Sequence, residues 1–200
     1  MIEDRAMVQA VLAGVPGAFE QLVRQHQRLT WHILARMVRD PEDARELAQE
    51  TFLRVHAQLH QFRFESALKT WIGRVAYSIA LRHLEKKRLQ VVSMDIEPEE
   101  GAAPAWEPAD PAADVEALWA DAQTRERLHA AIDTLPELPR TLLTLYHLDE
   151  LSIAEIAQVT GLASGTIKSH LFRARARLRM QLADLYTQAP APTPPEPIHP

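Results

Sequence analysis

Residues 151–182 read LSIAEIAQVTGLASGTIKSHLFRARARLRMQL, and the fold class follows from this stretch. Ile153, Ile156, Ala157 and Val159 recur at helical spacing and give a short helix with one apolar face. Gly161 supplies the turn after it, because a left-handed backbone is cheap only for glycine. Ser164 is placed to cap a second helix. At about 100° per residue, Ile167, Leu171, Ala174 and Leu178 fall in a narrow arc and predict its buried stripe. Ser169 and Phe172 point the opposite way. Lys168, Arg175 and Arg179 form one flank of that outer face, and Thr166, Arg173 and Arg177 the other. A short helix, a glycine turn and a second helix with a basic outer face is helix-turn-helix grammar. Short polar groups near the start of the second helix reach base edges, its flanking bases reach phosphates, and an outward Phe meets a thymine methyl. A solvated basic face is the plainer alternative.

Working outward, helical spacing persists and strict two-residue alternation is scarce, which predicts an all-α chain of two small helical domains. Gly14 and Gly17 separate an N-terminal helix from a long one over 18–38. Asp40-Pro41 reads as an N-cap followed by proline in the first turn, with Glu42 and Asp43 at the positive helix end. That helix carries Ala44, Leu47, Ala48, Phe52, Val55 and Leu59 on one stripe. Another starts near Ser66 and runs through Trp71, Ile72, Val75, Ile79 and Leu84 into Arg82, Lys86, Lys87 and Arg88. From 91 to 115 the pattern stops: Pro98, Pro104, Pro108 and Pro111 stand among seven acids with no Lys or Arg. We read 1–90 as one domain, 91–115 as a flexible acidic linker, 116–186 as the helix-turn-helix domain, and 187–200 as a disordered proline-rich tail.

The net charge of −5 argues against nucleic acid only until it is placed along the chain. Lys168, Arg173, Arg175, Arg177 and Arg179 stand in 164–182 with no acid, and fields are felt locally, within roughly 10 Å in salt. The absence of cysteine excludes disulfides, thiolate zinc sites and a cysteine nucleophile, and fits a cytoplasmic location. No apolar run approaches the roughly 20 residues that cross a bilayer. His56 and His60 share a helix face at a spacing that can bind metal, but no acidic third ligand joins them and no phosphate-cradling glycine loop exists. We therefore expect no enzyme, no metal and no cofactor.

FRFESALKTWIGRVAYSIALRHLEKKR, residues 62–88, combines rings with cations. Arg63, Lys69, Arg74, Arg82, Lys86, Lys87 and Arg88 can follow a phosphate backbone, and Phe62, Phe64, Trp71 and Tyr77 can stack unpaired bases. By spacing with Ile72 and Val75, Trp71 reads as core more readily than as a base platform, and Tyr77 fits either role.

The order DPEDARELAQETFLRV, FRFESALKTWIGRVA, an acidic linker, LPELPRTLLTLYHLDELSIAEIA and GTIKSHLFRARARL resembles the extracytoplasmic-function sigma factors over 17–182. The resemblance implies that the first domain docks on core RNA polymerase and melts the −10 promoter element as single strands. It also implies that the second domain reads the −35 element as duplex DNA, and that an anti-sigma factor is a partner, with no membrane insertion of this chain. Polymerase contact maps to Glu46, Gln49, Glu50 and Phe52, with Phe52 nearer the core. The melting loop and helix map to 62–66 and 70–88, and the −35 contacts to Lys168, Ser169, His170, Phe172 and Arg173, flanked by Ser164, Thr166, Arg175 and Arg177. Three positions depart from the family's habit: Phe64 replaces a common glycine, Ser78 an asparagine, and His170 an arginine. A stand-alone helix-turn-helix regulator would leave the N-terminal half without a duty. A protein that only sequesters other factors would not need both DNA-facing surfaces.

Overall fold

The computed structural model describes residues 2–92 and 122–187, so the linker read at 91–115 and the tail read at 187–200 lie outside the described residues except at their edges. Among the described residues eight α-helices follow in order: α1 (Ile2–Leu12), α2 (Ala18–Met37), α3 (Pro41–Gln58), α4 (Leu68–Val92), α5 (Ala122–Asp133), α6 (Glu137–His147), α7 (Ile153–Thr160) and α8 (Ser164–Thr187). A 3-10 turn, Leu59–Gln61, joins α3 to the loop before α4. No strand occurs among the described residues.

Local chemistry sets these boundaries. The Asp40 side chain accepts from the Glu42 N–H at 2.8 Å, and Pro41 opens α3 where a missing N–H is harmless. α7 carries a reciprocal capping box. The Glu155 N–H donates to Ser152 Oγ at 3.2 Å, and the Ser152 N–H donates to Glu155 Oε2 at 2.9 Å. Gly161 ends the helix at φ 76°, its N–H donating to the Ala157 carbonyl at 2.8 Å. α8 opens at Ser164 itself, so Ser164 is its first residue and not its cap, and the Ala163 carbonyl accepts from the Ile167 N–H at 3.1 Å.

The core begins on α2, whose Leu22, Leu29, Ile33, Leu34 and Met37 face inward. α3 and α4 pack against it, with Ala44, Leu47 and Val55 on one side and Leu68, Ile72, Ala76, Ile79 and Ala80 on the other. The second group of helices closes on the same two elements: α6 lies along α2, and α7 along α4. Gly73 permits the latter approach. A Cβ there would stand 3.2 Å from Val159 Cγ2 and 3.4 Å from Ile33 Cδ1. Polar contacts rim the junction. Arg28 Nη2 donates to the Leu148 carbonyl at 3.2 Å, His32 Nδ1 lies 2.8 Å from Asp149 Oδ1, and buried Arg140 donates through Nε to the Arg36 carbonyl at 2.7 Å.

Glu155 links the capping box to this junction, because its Oε1 also meets Lys69 Nζ of α4 at 3.2 Å. Burial alone would raise its carboxyl pKa. Hydrogen bonds from Ser152 and the Lys69 ammonium outweigh that and hold it below the ordinary 4.5. A depressed folded-state pKa contributes stability above the unfolded value and loses it as pH falls through the folded one. Glu155→Ala should therefore lower stability by about 1 kcal/mol at pH 7. Glu155→Gln keeps an acceptor for the cap and should lose only a few tenths of a kcal/mol. Urea unfolding at pH 7 and at pH below 4.5 checks both, since the gap between wild type and Glu155→Gln should close on acidification.

Candidate nucleic-acid interface

The helix-turn-helix stands as its periodicity requires. Ile167, Leu171, Ala174 and Leu178 are buried, which turns the opposite face of α8 outward. Ser164, Thr166, Lys168, Ser169, Arg173 and Arg177 are exposed, and His170, Phe172 and Arg175 half-buried. Arg173 reaches back along the helix, donating to Ser169 Oγ at 3.1 Å and to the Ser169 carbonyl at 3.3 Å, so hydroxyl and guanidinium form one polar unit. Arg175 behaves differently. Its guanidinium lies 5.4 Å from the Tyr146 ring centroid and its Nε 3.4 Å from His147 Nε2, which turns it back onto α6 and away from the outer face. Partial burial, and then Arg173, lower the His170 pKa from its ordinary 6.5, so the imidazole is neutral at pH 7.

The second basic surface is on α4. Arg74, Ser78, Arg82 and Lys86 are spaced four apart, which sets them along one side of the helix, and all are exposed. Ser78 Oγ donates to the Val75 carbonyl at 2.9 Å, and Arg82 Nε to the Ser78 carbonyl at 3.2 Å. Arg63 and Arg88 are exposed as well. Lys87 lies 3.5 Å from Asp43, and Lys69 is held by Glu155 of α7. Tyr77 faces the core at 9% exposure, where burial pushes its phenol above the ordinary 10.0. It therefore offers no ring face to a base in this arrangement. The partly exposed rings gather at the start of the helix: Phe64 and Trp71, both half-buried, flank the buried Phe62 at centroid distances of 4.8 and 5.3 Å.

A third surface is an apolar groove between α2 and α3, ≈ 550 Å³, lined by Val23, Gln27, Arg28, Trp31, Ala48, Gln49 and Phe52. Phe52 is half-buried on its wall, and Glu46, Gln49 and Glu50 are exposed along α3. Trp31 was not singled out by sequence. Its signal was an aromatic residue lying off the Leu22–Leu29–Ile33 stripe of α2, which leaves the ring 38% exposed. His56 is packed edge-on against Phe19 at 4.7 Å, and no group of three or more metal-ligating side chains occurs among the described residues. No described helix is long and apolar enough to cross a membrane.

Comparison with known proteins identifies both halves. Residues 22–90 match the family described as Sigma-70 region 2, and residues 125–178 the family described as Sigma-70, region 4. The chain is 32% identical to the RNA polymerase sigma-H factor of Pseudomonas aeruginosa, covering 94% of this chain and 97% of that protein. It is 33% identical to the ECF RNA polymerase sigma factor SigM of Mycobacterium tuberculosis, covering 92% and 87% respectively. Its fold matches the sigma factor RpoE of Bartonella quintana, solved with the anti-sigma factor NepR, at a TM-score of 0.61 and 21% identity over 84% of this chain and 98% of that one.

The electrostatics of α8 generate a prediction. His170→Arg adds a permanent charge to the outer face, so duplex binding should tighten and its log–log salt dependence should steepen by about one unit. Wild-type binding should strengthen as pH falls through and below the ordinary imidazole value of 6.5, while the arginine variant stays flat. Fluorescence anisotropy on a selected duplex, titrated against salt and pH, reads both effects. Parallel pH profiles for the two proteins would place His170 away from the DNA.

Proposed function

The chain belongs to the extracytoplasmic-function sigma factors of the sigma-70 family, and from that premise we propose how its three surfaces divide the work. It binds core RNA polymerase and directs promoter-specific initiation through −10 and −35 element recognition. The family's members are regulatory initiation factors and not enzymes, so the chemistry to explain is binding.

On this reading α8 enters the major groove of the −35 element. Ser169 and Lys168 meet base edges, with His170 and Phe172 beside them, and Thr166, Arg173 and Arg177 contact phosphates. Ser164, at the helix start, lends its N-terminal N–H groups to a phosphate. Arg175 positions α8 on Tyr146 and reaches DNA only if it leaves that ring. The stripe Arg74, Arg82 and Lys86, with Arg63, Lys69, Lys87 and Arg88 around it, tracks the single-stranded −10 backbone. Phe64 and Ser78 face the displaced bases, and Tyr77 supports the helix from within. The groove of Trp31 and Phe52, beside Glu46, Gln49 and Glu50, accepts a basic, partly apolar helix of the polymerase. The observation that carries this division is the exposed Lys168–Ser169–Arg173 face, presented by a helix whose opposite stripe is fully buried.

The closed junction has a consequence for that function. A compact chain of this length has a radius of gyration of about 16 Å and is roughly 40 Å across. The −35 and −10 elements stand ~25 base pairs apart, ~85 Å of duplex at about 3.4 Å per pair. One closed body cannot span them, so α7 must leave α4 when both elements are engaged. An anti-sigma factor that holds the two halves together, or fills the Trp31 groove, would keep the factor off the promoter. The protein acts where the polymerase is, in the cytoplasm.

The purified chain, mixed with bacterial core polymerase and fragmented genomic DNA, should yield defined transcript starts sharing two upstream elements. Lys168→Ala with Arg173→Ala should reduce those starts about tenfold or more, since each charge-assisted contact is worth about 1.5–3 kcal/mol. Duplex binding without any added starts would instead make the chain a stand-alone regulator.

A further inference from the structure

None of the three surfaces uses α1, yet α1 touches the loop before α4 at two points. Phe64 stands in that loop with φ 59°, a left-handed backbone that a bulky side chain adopts only when its surroundings compel it. On either side the chain is anchored, because Phe62 and Leu68 are 7% and 1% exposed. Between the anchors, the guanidinium of Arg5 lies over the Phe64 ring at 5.1 Å from its centroid, and the Phe62 ring packs at 4.8 Å. The neighbouring Asp4 Oδ2 accepts from the Leu68 N–H at 3.0 Å. Leu68 is the first residue of α4, so Asp4 satisfies a helix-start donor that has no partner within its own helix. Val8, 2% exposed, seats α1 on the core and fixes where these two side chains begin.

We propose that Asp4 and Arg5 are positioning residues for −10 recognition, holding the 62–66 loop and the Phe64 ring in the conformation that reads the unpaired base. This rests on the assignment of that loop to the −10 strand. The physical sequence is short. Arg5 offsets part of the cost of the left-handed Phe64 through the ring, and Asp4 pins the loop's exit to the helix start. A loop held in advance spends less binding free energy on ordering itself, so more of the contact with a preferred base survives as discrimination. α1 packs on α2 and the 3-10 turn, next to the loop assigned to the −10 strand.

The test uses the full chain assembled with core polymerase on two promoter libraries, one randomised in the −10 element and one in the −35. Arg5→Ala should reduce discrimination among −10 bases by about two- to fivefold, the range expected for an exposed cation–ring contact, and leave −35 preferences unchanged. Asp4→Ala should act likewise, and Asp4→Asn, whose amide oxygen still accepts from Leu68, should restore most of the preference. Phe64→Gly removes both ring and strain, so it should change the −10 preference itself and render Arg5→Ala silent. If Arg5→Ala and Asp4→Ala lower initiation from every promoter alike with −10 preferences intact, α1 merely holds the domain together and the inference is overturned. Additive effects of Arg5→Ala and Phe64→Gly would overturn it too. A wild-type chain that gives no specific starts fails earlier, and takes with it the assignment on which the inference stands.

Discussion

The structure depends on one helix that must be dry on three sides and wet on the fourth. α4 packs on α2 and α3 to complete the first group of helices, and receives α7 at Gly73, where any side chain would press on Val159 and Ile33. The side left over carries Arg74, Ser78, Arg82 and Lys86. Because three sides are spoken for, the cations point outward, and among the described residues no other element packs on that fourth side. Lys69 sits at the edge between these demands, bound to Glu155 of α7 while Arg74, Arg82 and Lys86 remain exposed. The same helix thus carries an exposed basic face and the landing place of the second group of helices.

The junction is chemically suited to parting. Alongside its apolar contacts it is tied by Arg28 to a backbone carbonyl, His32 to Asp149, Arg36 to Asp133 and Lys69 to Glu155. Such groups recover hydrogen bonds from water when separated, so each contributes only modestly to closure. Two polar atoms at the junction are unsatisfied while it is closed: Arg140 Nη2 and Asp149 Oδ2 are buried with no hydrogen-bond partner among the described residues. A buried polar atom left unpaired costs more than it returns, which brings the closed and open arrangements nearer in free energy. The net charge of −5 says nothing of this, since the acids and bases that matter are matched locally.

What the sequence revealed was local. The arc of Ile167, Leu171, Ala174 and Leu178, the Gly161 turn and the Asp40-Pro41 start are all fixed by neighbours within a turn or two, and all are present in the fold. The Ser152–Glu155 capping box is equally local, and Ser-x-x-Glu before an apolar helix announces it. Ser164 stands one residue inside the cap position, which Ala163 occupies by accepting from the Ile167 N–H. Other features were illegible because periodicity says which face is buried and never what covers it. Tyr77 carries a ring and a hydroxyl that suit either side of a helix, and only the packing turns it inward. Arg175 lies on the outer flank of α8 by angle, yet Tyr146 and His147 on another helix draw it back. The Trp31 groove, the bond from Asp4 to Leu68 and the pairing of Lys69 with Glu155 join residues distant in sequence, where no spacing rule operates.

The claim that the free chain is one closed body, which opens to span the promoter, can be measured directly. The absence of native cysteine makes Leu12→Cys and Met180→Cys, both at exposed positions on opposite domains, unique labelling sites. The distance between the two labels, followed by pulsed electron resonance or energy transfer, should be that of a compact body in the free protein. On polymerase bound to promoter DNA it should lengthen by several tens of ångströms, on the order of the difference between ~40 and ~85 Å. An unchanged distance on the promoter complex would mean that the closed arrangement is itself the working form, and would contradict the account.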